Sequence, residues 1–207
     1  MSGMKIIKID IEKPEQDKIK FALNLLKDGG TVVYPTDTIY GLGVNIYDIN
    51  AIKKVFNIKK RSFNKPLSVC VSQISDINSI AYLDKTKMDF INEILPGPFT
   101  IILRKKEHIS NLLTAGGEKI GIRIPNNKIC MELAKLFPIT TTSANLSGRR
   151  PSGYVNGVVE QLDDLVDLIL DGGKSENESP STVIDLTLNP PKVVREGSYK
   201  LNNIKIK

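Results

Sequence analysis

Gly30-Thr31-Val32-Val33-Tyr34-Pro35-Thr36-Asp37-Thr38-Ile39-Tyr40-Gly41-Leu42-Gly43 is the stretch on which the reading of this chain turns. It opens as a short buried strand, Thr31 to Tyr34, β-branched and aromatic with no charge. Pro35 has no N–H to donate and ends the ladder. Small hydroxyls and glycines follow: Thr36, Thr38, Tyr40, Gly41 and Gly43. Such residues suit a backbone that must approach a ligand closely and hold it by hydroxyls and amides. Taken alone, the stretch reads as well as a strand and a plain glycine turn. Three later polar stretches, each near the end of a predicted strand, favour the ligand.

Working outward, Lys5 to Ile9 reads as a strand. Pro14 suits the first turn of a helix whose Ile19, Ala22, Leu23 and Leu26 share one face, and Gly29-Gly30 stops it. Asp48 is a candidate N-cap for a helix with Ile49, Ile52, Val55 and Phe56 inward. A basic loop, Lys59 to Lys65, leads to a strand at Leu67–Val71. A helix is expected over about Asp84–Leu95, ended by Pro96-Gly97-Pro98, then a strand at Phe99–Leu103. Ile120 to Ile124 alternates, with three isoleucines on one face and Gly121 and Arg123 on the other. Cys130 to Phe137 is helical, Ile139–Thr142 a strand, and Val155 to Leu162 a further helix. Strands at Val166–Leu170, Thr182–Leu186 and Lys192–Arg195 make the tail β-rich, and Gly172–Pro180 reads as a mobile flap. Interleaved helices and strands without regular alternation predict one α/β domain over residues 1–207, an open, twisted, mixed sheet flanked by helices.

The chain has 207 residues, 29 Lys and Arg against 23 Asp and Glu, and a formal charge of +6. The excess favours polyanionic ligands, nucleotide phosphates or RNA, without choosing between them. Cys70 and Cys130 sit in apolar segments and read as reduced core thiols. With His108 the sole histidine, a His-based zinc site is not expected. No apolar run is long enough to span a bilayer and no signal-peptide core is present, so a cytoplasmic protein is expected.

Lys59-Lys60-Arg61-Ser62-Phe63-Asn64-Lys65-Pro66 places four cations on one loop, enough to surround a triphosphate; a solvated basic loop would look the same. Thr140-Thr141-Thr142-Ser143-Ala144-Asn145-Leu146-Ser147-Gly148 supplies more hydroxyls than a turn requires, and Ser143 and Asn145 can project together from an extended segment. Arg123, inside an isoleucine strand, must reach water, a salt-bridge partner or an anionic ligand. Ser181, Thr182 and Arg195 add hydroxyls and a cation near strand ends. There is no GxxxxGKS/T loop, no GxGxxG turn and no GxSxG elbow. Cations, hydroxyls and glycines suit phosphoryl or nucleotidyl transfer, which needs positioning and charge neutralisation more than a protein nucleophile.

In order and spacing, YPTDTIYGLG, KKRSFNKPL, LPGPFT, GIRIP, TSANLSG, STVIDL and Arg195 resemble the YrdC-like family of threonylcarbamoyl-AMP synthases, over about four-fifths of the chain. The resemblance implies a YrdC/RibB-like fold with a large, positive, concave cavity. It implies that Lys59 and Arg61 of a K-x-R element grip ATP phosphates, with Ser143 and Asn145 of an S-x-N element completing the catalytic group. Thr100, Ser152 and Arg195 would lie by the nucleotide. Thr36, Arg123, Thr141 and Ser181 would hold L-threonine, Arg123 through two parallel bonds to its carboxylate. Cys70 stands where many relatives have histidine, Ser62 where proline is common, and Lys60 adjoins Lys59.

The implied reaction joins L-threonine, bicarbonate and ATP into threonylcarbamoyl-AMP and pyrophosphate, with Mg2+ held mainly by ATP phosphates and no protein metal site. The implied partner is a downstream tRNA threonylcarbamoyl transferase complex; a direct tRNA or double-stranded RNA contact stays open. Two other readings use the same cations: a module that docks RNA without chemistry, which the threonine-rich turns disfavour, and carbamoyl transfer from carbamoyl phosphate.

Overall fold

The computed structural model describes residues 4–175, 179–197 and 199. Strand β1 (Lys5–Lys8) leads into helix α1 (Gln16–Lys27), which buries Ile19, Ala22 and Leu26, and Gly29 at φ 76° turns the chain back. Strands β2 (Val32–Tyr34) and β3 (Gly41–Gly43) form a hairpin, with Tyr34 opposite Gly41. Helix α2 (Ile49–Lys59) is capped by Asp48, which accepts from the amides of Asn50 at 2.8 Å and Ala51 at 3.0 Å. Strand β4 (Val69–Cys70) precedes helix α3 (Ile77–Ile80) and strand β5 (Ala81–Tyr82). Helix α4 (Met88–Ile94), strands β6 (Phe99–Lys105) and β7 (Lys119–Arg123), and helix α5 (Lys128–Leu133) follow. The chain continues through β8 (Ile139–Thr140), β9 (Thr142–Ser143), α6 (Val155–Leu162), β10 (Leu168–Asp171), β11 (Thr182–Asp185) and β12 (Lys192–Arg195).

The fold is the expected open, mixed α/β arrangement, divided into two sheets. One has the order β1-β10-β2-β3-β9; the other runs β12-β11-β6-β7-β4-β8, with β5 paired to β6. The predicted single strand at Ile139–Thr142 is instead the join between them. β8 pairs with β4 in one sheet, β9 pairs with β3 in the other, and Thr141 between them donates its amide to the Ser68 carbonyl at 2.8 Å.

Both faces of the first sheet are covered, which is why β2 reads as an unbroken apolar run. Val33 and Ile169 face a core shared with α2 and the second sheet, whereas Val32, Tyr34, Leu168 and Leu170 face α1 and α5. Helix α4 is shorter than the sequence predicts, because Lys85–Lys87 form a 3-10 turn capped by Asp84, whose side chain accepts from the Thr86 amide at 2.9 Å. The expected flap at Gly172–Pro180 lies partly outside the described residues.

Gly41 and Gly43 are a strand and not a turn, and their small size serves a neighbour more than a ligand. A Cβ on Gly43 would lie 2.7 Å from Cε1 of Tyr34, and one on Gly41 3.1 Å from its Cζ. The Tyr34 ring thus lies against both glycines, with its hydroxyl donating to the Thr140 carbonyl at 3.0 Å.

Candidate active site

Strand polarity brings the sequence-predicted residues together. β6 and β11 run parallel, so Thr100 and Ser181 lie at the same end of the sheet; β7 and β12 run antiparallel to them, so their last residues, Arg123 and Arg195, return to that end. The join at β8 and β9 supplies Thr141 and Ser143. The result is a cavity of about 310 Å3 lined by Thr36, Arg61, Thr100, Arg123, Thr141, Ser143, Ser181 and Arg195, with Tyr40, Gly41 and Ser68 among the rest of its wall. Among the described residues, no carboxylate lines it. Burial lowers the pKa of both Arg61 and Arg195, and nearby Arg123 lowers that of Arg195 further. Arginines held together against that penalty make a site for an anion.

Lys59 is the last residue of α2, and Lys60 turns away in the left-handed region at φ 48°. That backbone turn decides which of the two lysines points inward: Lys59 is 1% exposed, while Lys60 is exposed. The Lys59 ammonium does not itself line the cavity. It donates to the carbonyls of Ser143 and Asn145 and to Asn145 Oδ1, the latter two at 2.7 and 3.1 Å. Ser143 Oγ donates to the same Oδ1 at 2.5 Å. Lys59, Ser143 and Asn145 therefore form one unit, and all three ammonium hydrogens are committed to it. Burial, and secondarily Arg61, bring the Lys59 pKa down to about 7.

Arg123 resolves the sequence alternatives by combining them, since it lines the cavity and is also ion-paired. Its Nη2 donates to Asp37 Oδ1 at 2.5 Å and to Thr38 Oγ1 at 2.9 Å. Both two-bond edges of a guanidinium, Nε–Nη2 and Nη1–Nη2, use Nη2, so the expected pair of parallel bonds to a substrate carboxylate is not free in this state. Thr36 is similarly committed. Its hydroxyl donates to the Ile39 carbonyl at 2.8 Å and accepts from the Thr38 amide at 3.0 Å, while Thr38 Oγ1 lies 3.0 Å away. Thr36 lines the cavity, and its hydroxyl also shapes the turn.

Arg195 donates to the Ser181 carbonyl at 2.8 Å and to Ser181 Oγ at 3.2 Å, and Ser181 Oγ meets Thr100 Oγ1 at 2.8 Å, a continuous polar strip along one wall. Arg61 pins its own loop, donating to the carbonyls of Lys65 at 3.2 Å and Pro66 at 2.9 Å. Ser152 does not line the cavity; its hydroxyl accepts from the Tyr154 amide at 3.0 Å at the start of α6.

Ser68 and Tyr40 went unassigned from sequence. Ser68 is the hydroxyl inside an apolar strand, and Gly121 opposite is its signature: a Cβ there would lie 2.9 Å from Ser68 Oγ and 3.2 Å from Thr100 Cγ2. Tyr40 donates to the Gly173 carbonyl at 2.7 Å and accepts from the Gly172 amide at 3.1 Å, tying the segment after β10 to the cavity wall. Burial pushes its pKa up to about 12. Cys70 and Cys130 are free and buried, as expected of core thiols. Among the described residues, no group of three or more His, Cys, Asp or Glu gathers to hold a metal ion, and no helix is long and apolar enough to cross a membrane.

An arginine-lined, hydroxyl-rich cavity thus sits where the two mixed sheets of an α/β domain meet. This chain belongs to the Sua5/YciO/YrdC family, described as "Telomere recombination", whose profile matches residues 24–197. It is 40% identical over 202 residues to a putative threonylcarbamoyl-AMP synthase of Methanocaldococcus jannaschii, covering 97% of this chain and 96% of that one. It is 33% identical to the threonylcarbamoyl-AMP synthase of Pyrococcus abyssi, spanning 58% of that protein's length. The crystal structure of P. abyssi Sua5 complexed with L-threonine superposes with a TM-score of 0.91 over 95% of this chain and 58% of that one. The crystal structure of E. coli YciO, 30% identical, superposes at 0.86 over 98% of both chains.

Proposed function

We propose that this protein is an L-threonylcarbamoyladenylate synthase, a nucleotidyltransferase that makes threonylcarbamoyl-AMP and pyrophosphate for tRNA modification. The observation that carries the reading is the convergence of Arg61, Arg123 and Arg195 with the hydroxyls of Thr100, Ser143 and Ser181 on one cavity. Relatives named threonylcarbamoyl-AMP synthase support it.

The threonine amine takes up CO2, derived from bicarbonate, as a carbamate. A carbamate oxygen then attacks the α-phosphorus of ATP, and the bond to the β-phosphate oxygen breaks to release pyrophosphate. Arg61 and Arg195 neutralise the triphosphate as charge moves to the leaving group, and the Lys59–Ser143–Asn145 unit shapes the floor beneath it. Thr100 and Ser181 lie along the same strip. Thr36, Thr141 and Arg123 border the amino-acid end. Mg2+ enters on the phosphate oxygens as part of the substrate. The adenylate then passes to a separate tRNA threonylcarbamoyl transferase, and a direct tRNA contact would use the positive surface of the chain.

The test is incubation with ATP, L-threonine, bicarbonate and Mg2+, followed by separation of the nucleotides. Pyrophosphate and the adenylate should form only with both threonine and bicarbonate present. Release of ADP and phosphate, or turnover without an amino acid, overturns the reading.

A further inference from the structure

We propose that Asp37 is a positioning residue for the amino-acid substrate, acting through Arg123; the inference rests on the threonine reading above. Asp37 and Arg123 are 9% and 6% exposed, and their side chains come from different segments, the turn after β2 and the end of β7. Both carboxylate oxygens are in use. Oδ1 takes Arg123 Nη2 at 2.5 Å, and Oδ2 takes the amide of Asn126 at 3.0 Å, in the loop before α5. Fixed at both oxygens, the carboxylate cannot rotate to follow the guanidinium, so it sets the plane in which Arg123 lies.

That plane decides what Arg123 offers. Nη2 is spent on Asp37 and Thr38. Nε is buried without a partner, and no described residue takes up Nη1. Since Arg123 lines the cavity, a substrate carboxylate meets Nη1; the buried Nε–H points to the other side of the guanidinium and takes no part in that contact. Without the aspartate the guanidinium swings, and the carboxylate must order it on binding. The role demands two acceptor oxygens. Asparagine has one, so Asp37→Asn leaves either Nη2 or the Asn126 amide facing an NH2 group.

The experiment is calorimetric titration of L-threonine and of a non-hydrolysable ATP analogue into the wild type, Asp37→Asn, Arg123→Lys and the double variant, with circular dichroism to follow folding. We expect Asp37→Asn to weaken threonine at least about fivefold and the nucleotide less than about twofold. The double variant should bind threonine no worse than Arg123→Lys alone, within about twofold, because the aspartate acts only through the arginine. Multiplying losses, or equal losses for both ligands, overturn the inference and leave the substrate reading intact. Absence of threonine binding by the wild type overturns both. Should Asp37→Asn fail to fold, Asp37→Glu keeps the charge while displacing it; the same selective loss supports the inference, and unchanged threonine affinity defeats it.

Discussion

Lys59 offers the sharpest test of the site's electrostatics, because it is a cation buried among neutral oxygens. Its pKa falls from 10.5 to about 7 on folding, through burial and then through Arg61. Below about pH 7 both folded and unfolded chains carry the proton, and folding bears the full cost of burying the charge. Between about 7 and 10.5 the unfolded chain holds a proton that the folded one has released, so stability rises with pH across this window. The gain is complete above the unfolded value and is lost as pH falls through the folded one. At about 1.4 kcal/mol per pH unit, the interval from pH 7 to pH 9 corresponds to about 2 kcal/mol after allowing for half-titration at its start. The three oxygens around the ammonium favour the charged form and can only reduce this figure. The comparison is with Lys59→Met, which fills the same channel without titrating. It strands the three acceptors at a cost that does not depend on pH. Urea unfolding followed by circular dichroism at several pH values gives both curves. The wild-type stability should climb relative to the variant between about pH 7 and pH 9; parallel curves would refute the argument and mean that Lys59 stays charged throughout.

Three further outcomes follow from the geometry. Arg61→Ala should abolish most pyrophosphate release while lowering stability by no more than about 1 kcal/mol, since it loses exposed bonds to its own loop; a larger loss in a urea melt would make Arg61 structural. L-serine should be a poorer substrate than L-threonine by about 1–3 kcal/mol in kcat/KM, the usual worth of one methyl in a fitted pocket, and equal efficiency would remove threonine from the assignment. Gly43→Ala should cost about 1–3 kcal/mol by overpacking, because its Cβ would lie 2.7 Å from the Tyr34 ring and 3.3 Å from both Ile139 Cδ1 and the Thr140 carbonyl. An unchanged melting temperature would mean that the ring moves aside freely.

The local elements were legible because their signals are local. The Asp48 cap, the buried Ile52, Val55 and Phe56 of α2, and Ile120, Ile122 and the Ile124 just after β7 are where spacing and residue type place them, whereas Ile49, expected inward, sits 43% exposed at the first turn of α2. The assignment of Ile139–Thr142 to one strand missed the division of the fold, since β-branched residues suit either sheet equally and only long-range pairing separates β8 from β9. Short elements such as α3 and β5 offer too few residues for a period to register. At the site, residue types identified which side chains gather, and Arg61, Thr100, Arg123, Ser143, Ser181 and Arg195 do line one cavity. Sequence could not say how each hydroxyl and guanidinium is already engaged. The commitment of Thr36 to its own turn and of Nη2 to Asp37 depends on angles set by segments far apart in the chain.

The passage of one five-residue segment, Ile139 to Ser143, from the second sheet to the first has a mechanical consequence. A bound ligand reaching from Thr100 and Arg195 to Ser143 and Gly41 acts as a cross-tie between two slabs that this segment hinges. Its binding energy becomes resistance to prying them apart, by about 2.7 kcal/mol at a hundredfold excess over Kd. Amide exchange at Thr140 to Ser143, where the hinge must open first, then becomes a gauge of how fully the cross-tie is in place, while the far edge at β1 feels it least.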